Sequence, residues 1–171
     1  MLNSETIKRF IEGVQTDCED TLLPPENGTE AIGQPIIPFV LVRGTRRTYL
    51  ERITHQINIT YTNGCYDACA VMIRRLIETL IIEVFEQYQI SDKIKNKTGD
   101  FFYLADLINF TLSENVWNLS RNSKQAFPKL KDIGDKSAHS RRFIAVRDDI
   151  DRIRDDLRVV VQEMILLANF N

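Results

Sequence analysis

Residues 66–89 read YDACAVMIRRLIETLIIEVFEQYQ. Apolar side chains recur in this stretch at intervals of three and four residues, the spacing that places them on one face of an α-helix. They are Ile73, Leu76, Ile77, Leu80, Val84 and Tyr88. Arginines and glutamates occupy much of the remaining surface, so the helix has one apolar and one charged side. This pattern predicts the strongest helix of the chain, from Tyr66 to about Gln89.

The same periodicity predicts helices on both sides of this one. A helix is predicted from about Thr48, and Gly64 is expected to interrupt it. Its apolar positions are Leu50, Ile53, Ile57 and Tyr61. Downstream, residues 101–112 are apolar at helical spacing. A break is predicted at Phe127–Pro128, with Pro128 as the first residue of the next helix, where proline is well tolerated.

A regular apolar seam predicts the final helix. Its positions step by four and three residues and are Val146, Ile150, Ile153, Leu157, Val160, Met164 and Leu167. Asp148, Asp149 and Asp151 stand near its start, where the helix dipole favours negative charge. Such a seam is typical of a bundle core, and it equally suits a contact between two copies of the chain.

These helices predict an all-α fold, an up-and-down bundle of four to five helices in residues 48–171. Residues 1–47 are predicted to form an N-terminal helix, over Ser4 to Val14, and an irregular extension. Within this extension, residues 36–42 are either a short strand or apolar packing material, and the two nearby prolines favour the second. At 171 residues the chain is long enough to bury one substantial core.

Charge is distributed unevenly along the chain. The formal net charge is −2, which argues against a general nucleic-acid coat protein. Residues 1–30 hold seven acidic and two basic residues, whereas residues 121–142 hold seven basic and two acidic residues. A local basic patch on a nearly neutral protein indicates one site for an anionic ligand.

The cysteine count and the N-terminal sequence predict a cytoplasmic protein. The three cysteines cannot all pair within the chain, and the first residues lack the build of a signal peptide. The apolar runs are too short to cross a membrane. Cys65, Cys69 and His55 do not have the spacing of a zinc site, so we expect neither a metal nor another cofactor.

The best candidate for a functional site is the segment KLKDIGDKSAHSRR, residues 129–142. If it is helical, Lys131, Asp135, His139 and Arg142 share one face. The other face carries small and apolar residues and would let a neighbouring helix approach closely. A histidine titrates near neutral pH, a carboxylate four residues earlier can orient its ring, and cations can hold a phosphate. The alternative is a solvated helix face that happens to include a histidine.

A second group of charged residues lies on the predicted helix 66–89. Arg74, Arg75 and Glu78 are spaced to form ion pairs on one helix surface. They are either a solvated face, or Glu78 and one arginine turn inward to hold His139 or its helix in place.

Two segments together resemble a known family. Residues 66–78 contain the pattern Ala-x-x-x-Arg-Arg-x-x-Glu, and residues 131–139 read KDIGDKSAH. In this order they resemble the HEPN (higher eukaryotes and prokaryotes nucleotide-binding) superfamily, and in particular an uncharacterised bacterial branch with a Gly-Asn-x-Ala-Ala-His segment. The likeness covers roughly residues 48–170. Lys131 stands where that branch prefers arginine, and Asp135 stands at the asparagine position.

The resemblance implies a homodimeric helical bundle that binds RNA or nucleotide phosphate. Many members cleave RNA without a metal ion in toxin, antiviral or RNA-processing systems, by attack of a ribose 2′-hydroxyl on the adjacent phosphate. His139 is then the catalytic acid or base, and phosphate-binding side chains are Lys131, Lys136, Arg141 and Arg142. Orienting roles fall to Asp135, Glu78 and Arg75. The alternative function is a non-catalytic module for dimerisation or for docking a partner protein.

Overall fold

The computed structural model describes residues 35–170. Six α-helices lie in this part of the chain: α1 (Val40–Arg43), α2 (Thr48–Thr62), α3 (Tyr66–Gln87), α4 (Leu104–Ser113), α5 (Arg121–His139) and α6 (Arg147–Ala168). A one-turn 3₁₀ helix, Ser91–Ile94, precedes α4. Residues 35–170 contain no strand beyond an isolated antiparallel bridge between Lys95 and Phe101. The predicted helix over Ser4 to Val14 lies outside the described residues.

Helix α3 occupies the centre of the bundle and packs against α2, α4, α5 and α6. Three contacts between helix ends define the directions. Asp67 at the start of α3 accepts a hydrogen bond from the backbone of Ala145, just before α6, so α3 and α6 run parallel. Arg47 before α2 lies over the ring of Phe170 beyond α6, so these two helices are antiparallel. Ser120, just before α5, binds Glu163 near the end of α6, so α5 and α6 are also antiparallel. The predicted up-and-down bundle is confirmed.

The predicted apolar face of α3 is buried. Ile73, Leu76, Ile77, Leu80 and Val84 are at most 1% exposed. Burying several such side chains completely is the main source of stability for a bundle of this size. The predicted interruption before α3 is also confirmed. Helix α2 ends at Thr62, and Gly64 has a φ of +74°, a left-handed conformation that glycine adopts without strain.

Residues 36–42 form no strand. Ile36 and Ile37 are fully buried in the bundle core, followed by the short helix α1. The Asn58 side chain accepts a hydrogen bond from the Ile37 amide and donates one to its carbonyl, at 3.1 and 2.9 Å. Arg158 donates to the carbonyl of Ile36 at 2.9 Å. The prediction of apolar packing material is therefore confirmed, and the described end of the N-terminal extension shares the core of the bundle.

The predicted start of the helix at Pro128 is wrong. Helix α5 begins seven residues earlier, at Arg121, and Pro128 lies in its interior. The helix starts there because the Ser120 hydroxyl caps it, accepting a hydrogen bond from the Ser123 amide at 3.2 Å. Glu163 in turn accepts hydrogen bonds from the amide and the hydroxyl of Ser120. Burial of Phe127 and Leu130 in the core of the bundle helps to offset the hydrogen bond that proline cannot donate.

The apolar seam of α6 faces the inside of the bundle. Ile150, Ile153, Leu157, Val160 and Met164 are buried within one chain. The seam therefore forms a core, as its spacing first suggested, except at its two ends, where Val146 is 54% exposed and Leu167 is half-buried. Its buried side chains are not available for a contact between copies. No helix within residues 35–170 combines the length and the apolar character that crossing a bilayer requires.

Candidate functional site

The small-residue face of α5 packs closely on α3, as predicted. A Cβ atom added at Gly134 would lie 2.6 Å from Cβ of Arg74 and 3.2 Å from the carbonyl oxygen of Ala70. Leu130 and Ile133 are buried beside it. The absence of a side chain at Gly134 thus sets the distance between the two helices, and through it the position of the end of α5.

Helix α5 ends at His139, so the predicted shared face is only partly correct. Ser140 has an extended backbone, with φ −82° and ψ 120°, and its hydroxyl accepts a hydrogen bond from the Phe143 amide at 3.3 Å. Arg142 therefore lies in the loop and not on the helical face of Lys131 and Asp135. The chain leaves the helix here because it must turn to meet α6, and Asp67 holds the loop through the Ala145 amide at 3.0 Å.

Asp135 is bound by two cations. Lys131 Nζ lies 2.5 Å from one of its oxygens, and Arg74 Nε lies 2.8 Å from the other. Arg74 also contacts Glu78 at 3.7 Å. Burial raises the pKa of Asp135, but the hydrogen bonds from Lys131 and Arg74 outweigh burial, so its pKa lies below the ordinary value. These contacts fasten α5 to α3.

The structure brings Asp135 and Glu78 together, but through Arg74 and not Arg75. Arg75 is exposed. Adjacent residues of a helix point about 100° apart, so only one of two neighbouring arginines can reach α5. The sequence does not distinguish them by type, although Arg74 stands four residues after Ala70, which faces Gly134. The sequence left open that one of the two arginines turns inward, and the orienting role was expected of Arg75, whereas the structure has Arg74 in that position.

His139 is the exposed last residue of α5. Within residues 35–170 its ring makes neither a hydrogen bond nor a salt bridge, and Asp135 is directed to Lys131 and Arg74 instead. No carboxylate in this part of the chain therefore orients the histidine.

The cations of residues 121–142 fall into two groups. Three lysines are neutralised by acids: Lys129 by Asp156, Lys131 by Asp135, and Lys136 by Asp132. Four cations have no acidic partner among residues 35–170: Arg121, Lys124, Arg141 and Arg142. Arg121 and Lys124 stand at the opposite end of α5, roughly 22–27 Å from His139 at 1.5 Å per residue. The uncompensated positive charge near His139 therefore comes from Arg141 and Arg142.

A second polar cluster, which the sequence did not reveal, joins α2 to α6. The Tyr61 hydroxyl donates to Asp151 at 2.6 Å and accepts from Arg147 and Arg154 at 3.0 and 2.8 Å. Both guanidinium groups also lie over the Tyr61 ring. Burial raises the pKa of Asp151, but hydrogen bonds from Tyr61 and Arg154 leave it below the ordinary value. The sequence does contain one signal for this cluster: the spacing of Arg147, Asp151 and Arg154 places them on one face of α6.

An open groove of about 420 Å³ lies between α5 and α6, next to the loop. It is lined by Lys129, Asp132, Ile133, Lys136, Phe143, Asp149, Arg152, Ile153 and Asp156. Within residues 35–170, no three His, Cys, Asp or Glu side chains converge to hold a metal ion.

Comparison with known proteins identifies no relative of this chain. No family model, curated protein or solved structure matches the chain. The HEPN resemblance stays a prediction.

Proposed function

We propose that the protein is a HEPN-like domain that binds RNA or nucleotide phosphate through the segment His139–Arg142. One observation carries this proposal. Arg141 and Arg142 are exposed next to the exposed His139, and no acid within residues 35–170 pairs with either arginine. A guanidinium group offers two parallel N–H donors to phosphate oxygens, which makes arginine well suited to this ligand.

The negative charge of Asp135 does not rule out a phosphate site nearby. A free aspartate beside a phosphodiester would repel it. Here Lys131 and Arg74 bind both carboxylate oxygens, so the charge of Asp135 is compensated. Lys131 and Lys136 are each occupied by an aspartate, which leaves the two loop arginines as the principal phosphate ligands in this proposal.

RNA cleavage needs more than phosphate binding. One group must take the proton of the attacking 2′-hydroxyl, and a second must protonate the departing 5′-oxygen, giving a cyclic phosphate and a free hydroxyl. One chain offers a single histidine here. In this proposal a second copy of His139, from a homodimer, supplies the other group, so cleavage requires dimerisation while binding does not.

Exposed apolar side chains favour a second candidate function. Ile144 and Val146, two and four residues after Arg142, are 76% and 54% exposed. Apolar side chains so close to a charged loop suit a non-catalytic module for dimerisation or protein interaction.

The proposal is tested by RNA binding with two matched double variants. Arg141→Gln/Arg142→Gln should weaken binding of mixed-sequence single-stranded RNA about tenfold in fluorescence anisotropy. Arg121→Gln/Lys124→Gln removes the same charge at the far end of α5 and should leave affinity close to that of the wild type. Equal losses in both variants, or no binding by the wild type, would overturn the proposal and favour the interaction module.

Cleavage is tested separately, in the presence of a chelator. His139→Ala should abolish cleavage while leaving RNA affinity and folding intact, because only a transition-state interaction is removed. Cleavage that persists in this variant would refute the catalytic role of His139. Salt-sensitive binding without any cleavage would leave a binding domain.

A further inference from the structure

The groove between α5 and α6 has an apolar floor. Ile133 and Ile153 line it and are 9% and 7% exposed, and Phe143 lines it while packing partly against the core. Ile133 and Ile153 are already buried, so a flat apolar group entering the groove would displace water mainly from the half-buried Phe143 ring, which is favourable. The groove is open to solvent and has a volume of about 420 Å³, so it can cover part of a flat group but not enclose a whole ligand.

The charged rim of the groove is neutral overall. Its three cations are paired with its three acids: Lys129 with Asp156, Lys136 with Asp132, and Arg152 with Asp149. A phosphate entering here would have to displace an acid from each cation. The rim therefore suits an uncharged group, in contrast to the unpaired arginines of the adjoining loop.

The groove and the arginine pair belong to the same short loop. Phe143 directly follows Arg142, so their Cα atoms are about 3.8 Å apart. The Phe143 amide is bonded to the Ser140 hydroxyl, which closes the loop between the end of α5 and the groove. A strand whose phosphate contacts Arg142 can therefore extend to place a base at Phe143.

We propose that this groove binds a nucleobase of the same RNA strand, with Phe143 as the side chain on which the base packs. This inference rests on the proposed function and adds a base subsite to it. Aromatic side chains bind bases by stacking in many proteins that recognise single-stranded nucleic acids.

The rim also predicts which bases are preferred. Asp132 and Asp156 bind their lysines through Oδ2, and no hydrogen bond within residues 35–170 engages Oδ1 of either. These oxygens can accept hydrogen bonds from an exocyclic amino group. Adenine, cytosine and guanine carry such a group, whereas the N3–H of uracil lies between two carbonyl oxygens that a carboxylate repels, so the groove should favour these three bases over uracil.

The test compares oligo(C), oligo(U) and a sugar-phosphate oligomer of the same length without bases. Wild-type protein should bind oligo(C) about tenfold more tightly than the base-free oligomer, with oligo(U) between them. Phe143→Ala should lose the advantage of bases while keeping affinity for the base-free oligomer. Asp132→Asn should reduce the difference between oligo(C) and oligo(U). Phe143→Leu, which preserves apolar contact without an aromatic face, replaces Phe143→Ala if thermal melting shows that the alanine variant is unfolded.

The outcomes distinguish a failure of the base subsite from a failure of the proposed phosphate binding. If the wild type binds all three oligomers equally, or the phenylalanine variants keep the preference for bases, the base subsite is refuted and phosphate binding stands. If Arg141→Gln/Arg142→Gln binds oligo(C) as the wild type does, phosphate binding by the loop is refuted. Absence of binding to any oligomer overturns both.

Discussion

At Gly134 the backbones of α3 and α5 are too close for any side chain between them. The next residue, Asp135, is held by Arg74 from α3 and by Lys131 from its own helix. These contacts position the end of α5, from which His139 and the two loop arginines extend. Substitutions at Gly134 and Asp135 test these contacts.

Gly134→Ala should destabilise the protein. Its Cβ would clash with Cβ of Arg74 and crowd the carbonyl of Ala70, and neither atom is the flexible end of a side chain. Overpacking costs about 1–3 kcal/mol, more than the roughly 1 kcal/mol that alanine gains over glycine in a helix. We expect the free energy of unfolding to fall by up to about 2 kcal/mol in urea denaturation. Gly44→Ala is the control, since nothing lies within 4 Å of its added Cβ. A Gly134→Ala protein as stable as the wild type would contradict the close packing.

Asp135→Asn should destabilise the protein in a pH-dependent way. The folded state lowers the pKa of Asp135, so its carboxylate contributes stability above the unfolded pKa of about 4. This contribution is lost as the pH falls through the lower, folded pKa. At pH 7 the variant should be about 1–2 kcal/mol less stable than the wild type. The difference should shrink below about pH 4. A difference that is constant from pH 7 to pH 2 would show that the carboxylate charge has no role.

At the scale of the helices, apolar periodicity predicted α2, α3 and α6 well. Each has a broad stripe that one core buries, so local pattern and tertiary packing agree. The start of α5 was missed because Ser120 is fixed by Glu163, 43 residues away, while Pro128 gave the stronger local signal. The choice between Arg74 and Arg75 likewise depends on where α5 packs. Asp135 and Arg74 are 61 residues apart, and no local pattern specifies that contact.

Replacing the internal proline of α5 should stabilise the protein. Pro128 is exposed and cannot donate a hydrogen bond to the carbonyl of Lys124. Pro128→Ala restores that donor and loses little packing, so we expect the free energy of unfolding to rise by about 1–3 kcal/mol. Gln125→Ala, also exposed on α5, is the control and should change stability by no more than about 0.5 kcal/mol. A Pro128→Ala variant that is less stable than the wild type would contradict a continuous α5.

Removal of the Tyr61 hydroxyl tests how much the polar contacts between α2 and α6 contribute to stability. Tyr61→Phe removes one donor and one acceptor that contact Asp151, Arg147 and Arg154. We expect a loss of about 1–2 kcal/mol in thermal or urea unfolding. Tyr66→Phe serves as the control, because the Tyr66 ring packs edge-on against Tyr61 but its hydroxyl makes no hydrogen bond within residues 35–170. Equal effects of the two variants would show that the cluster adds no stability.

For the whole molecule, the distribution of paired and unpaired charge is more informative than the net charge. The sequence located a basic segment and a histidine within it. It did not reveal that three of the seven cations are neutralised by acids, two of these acids on the same helix and one on α6. Pairing depends on which side chains the bundle brings together. The result is one loop, beside a groove with an apolar floor and a neutral charged rim, whose arginines have no acidic partner in the described chain.

The salt dependence of RNA binding tests this account most directly. Each phosphate contact with a single strand contributes about 0.7 to the slope of log K against log salt concentration. If Arg141 and Arg142 each contact a phosphate, the slope for Arg141→Gln/Arg142→Gln should be less steep by about 1.4. The slope for Arg121→Gln/Lys124→Gln should equal that of the wild type. Identical slopes for the wild type and the Arg141→Gln/Arg142→Gln variant would contradict the account.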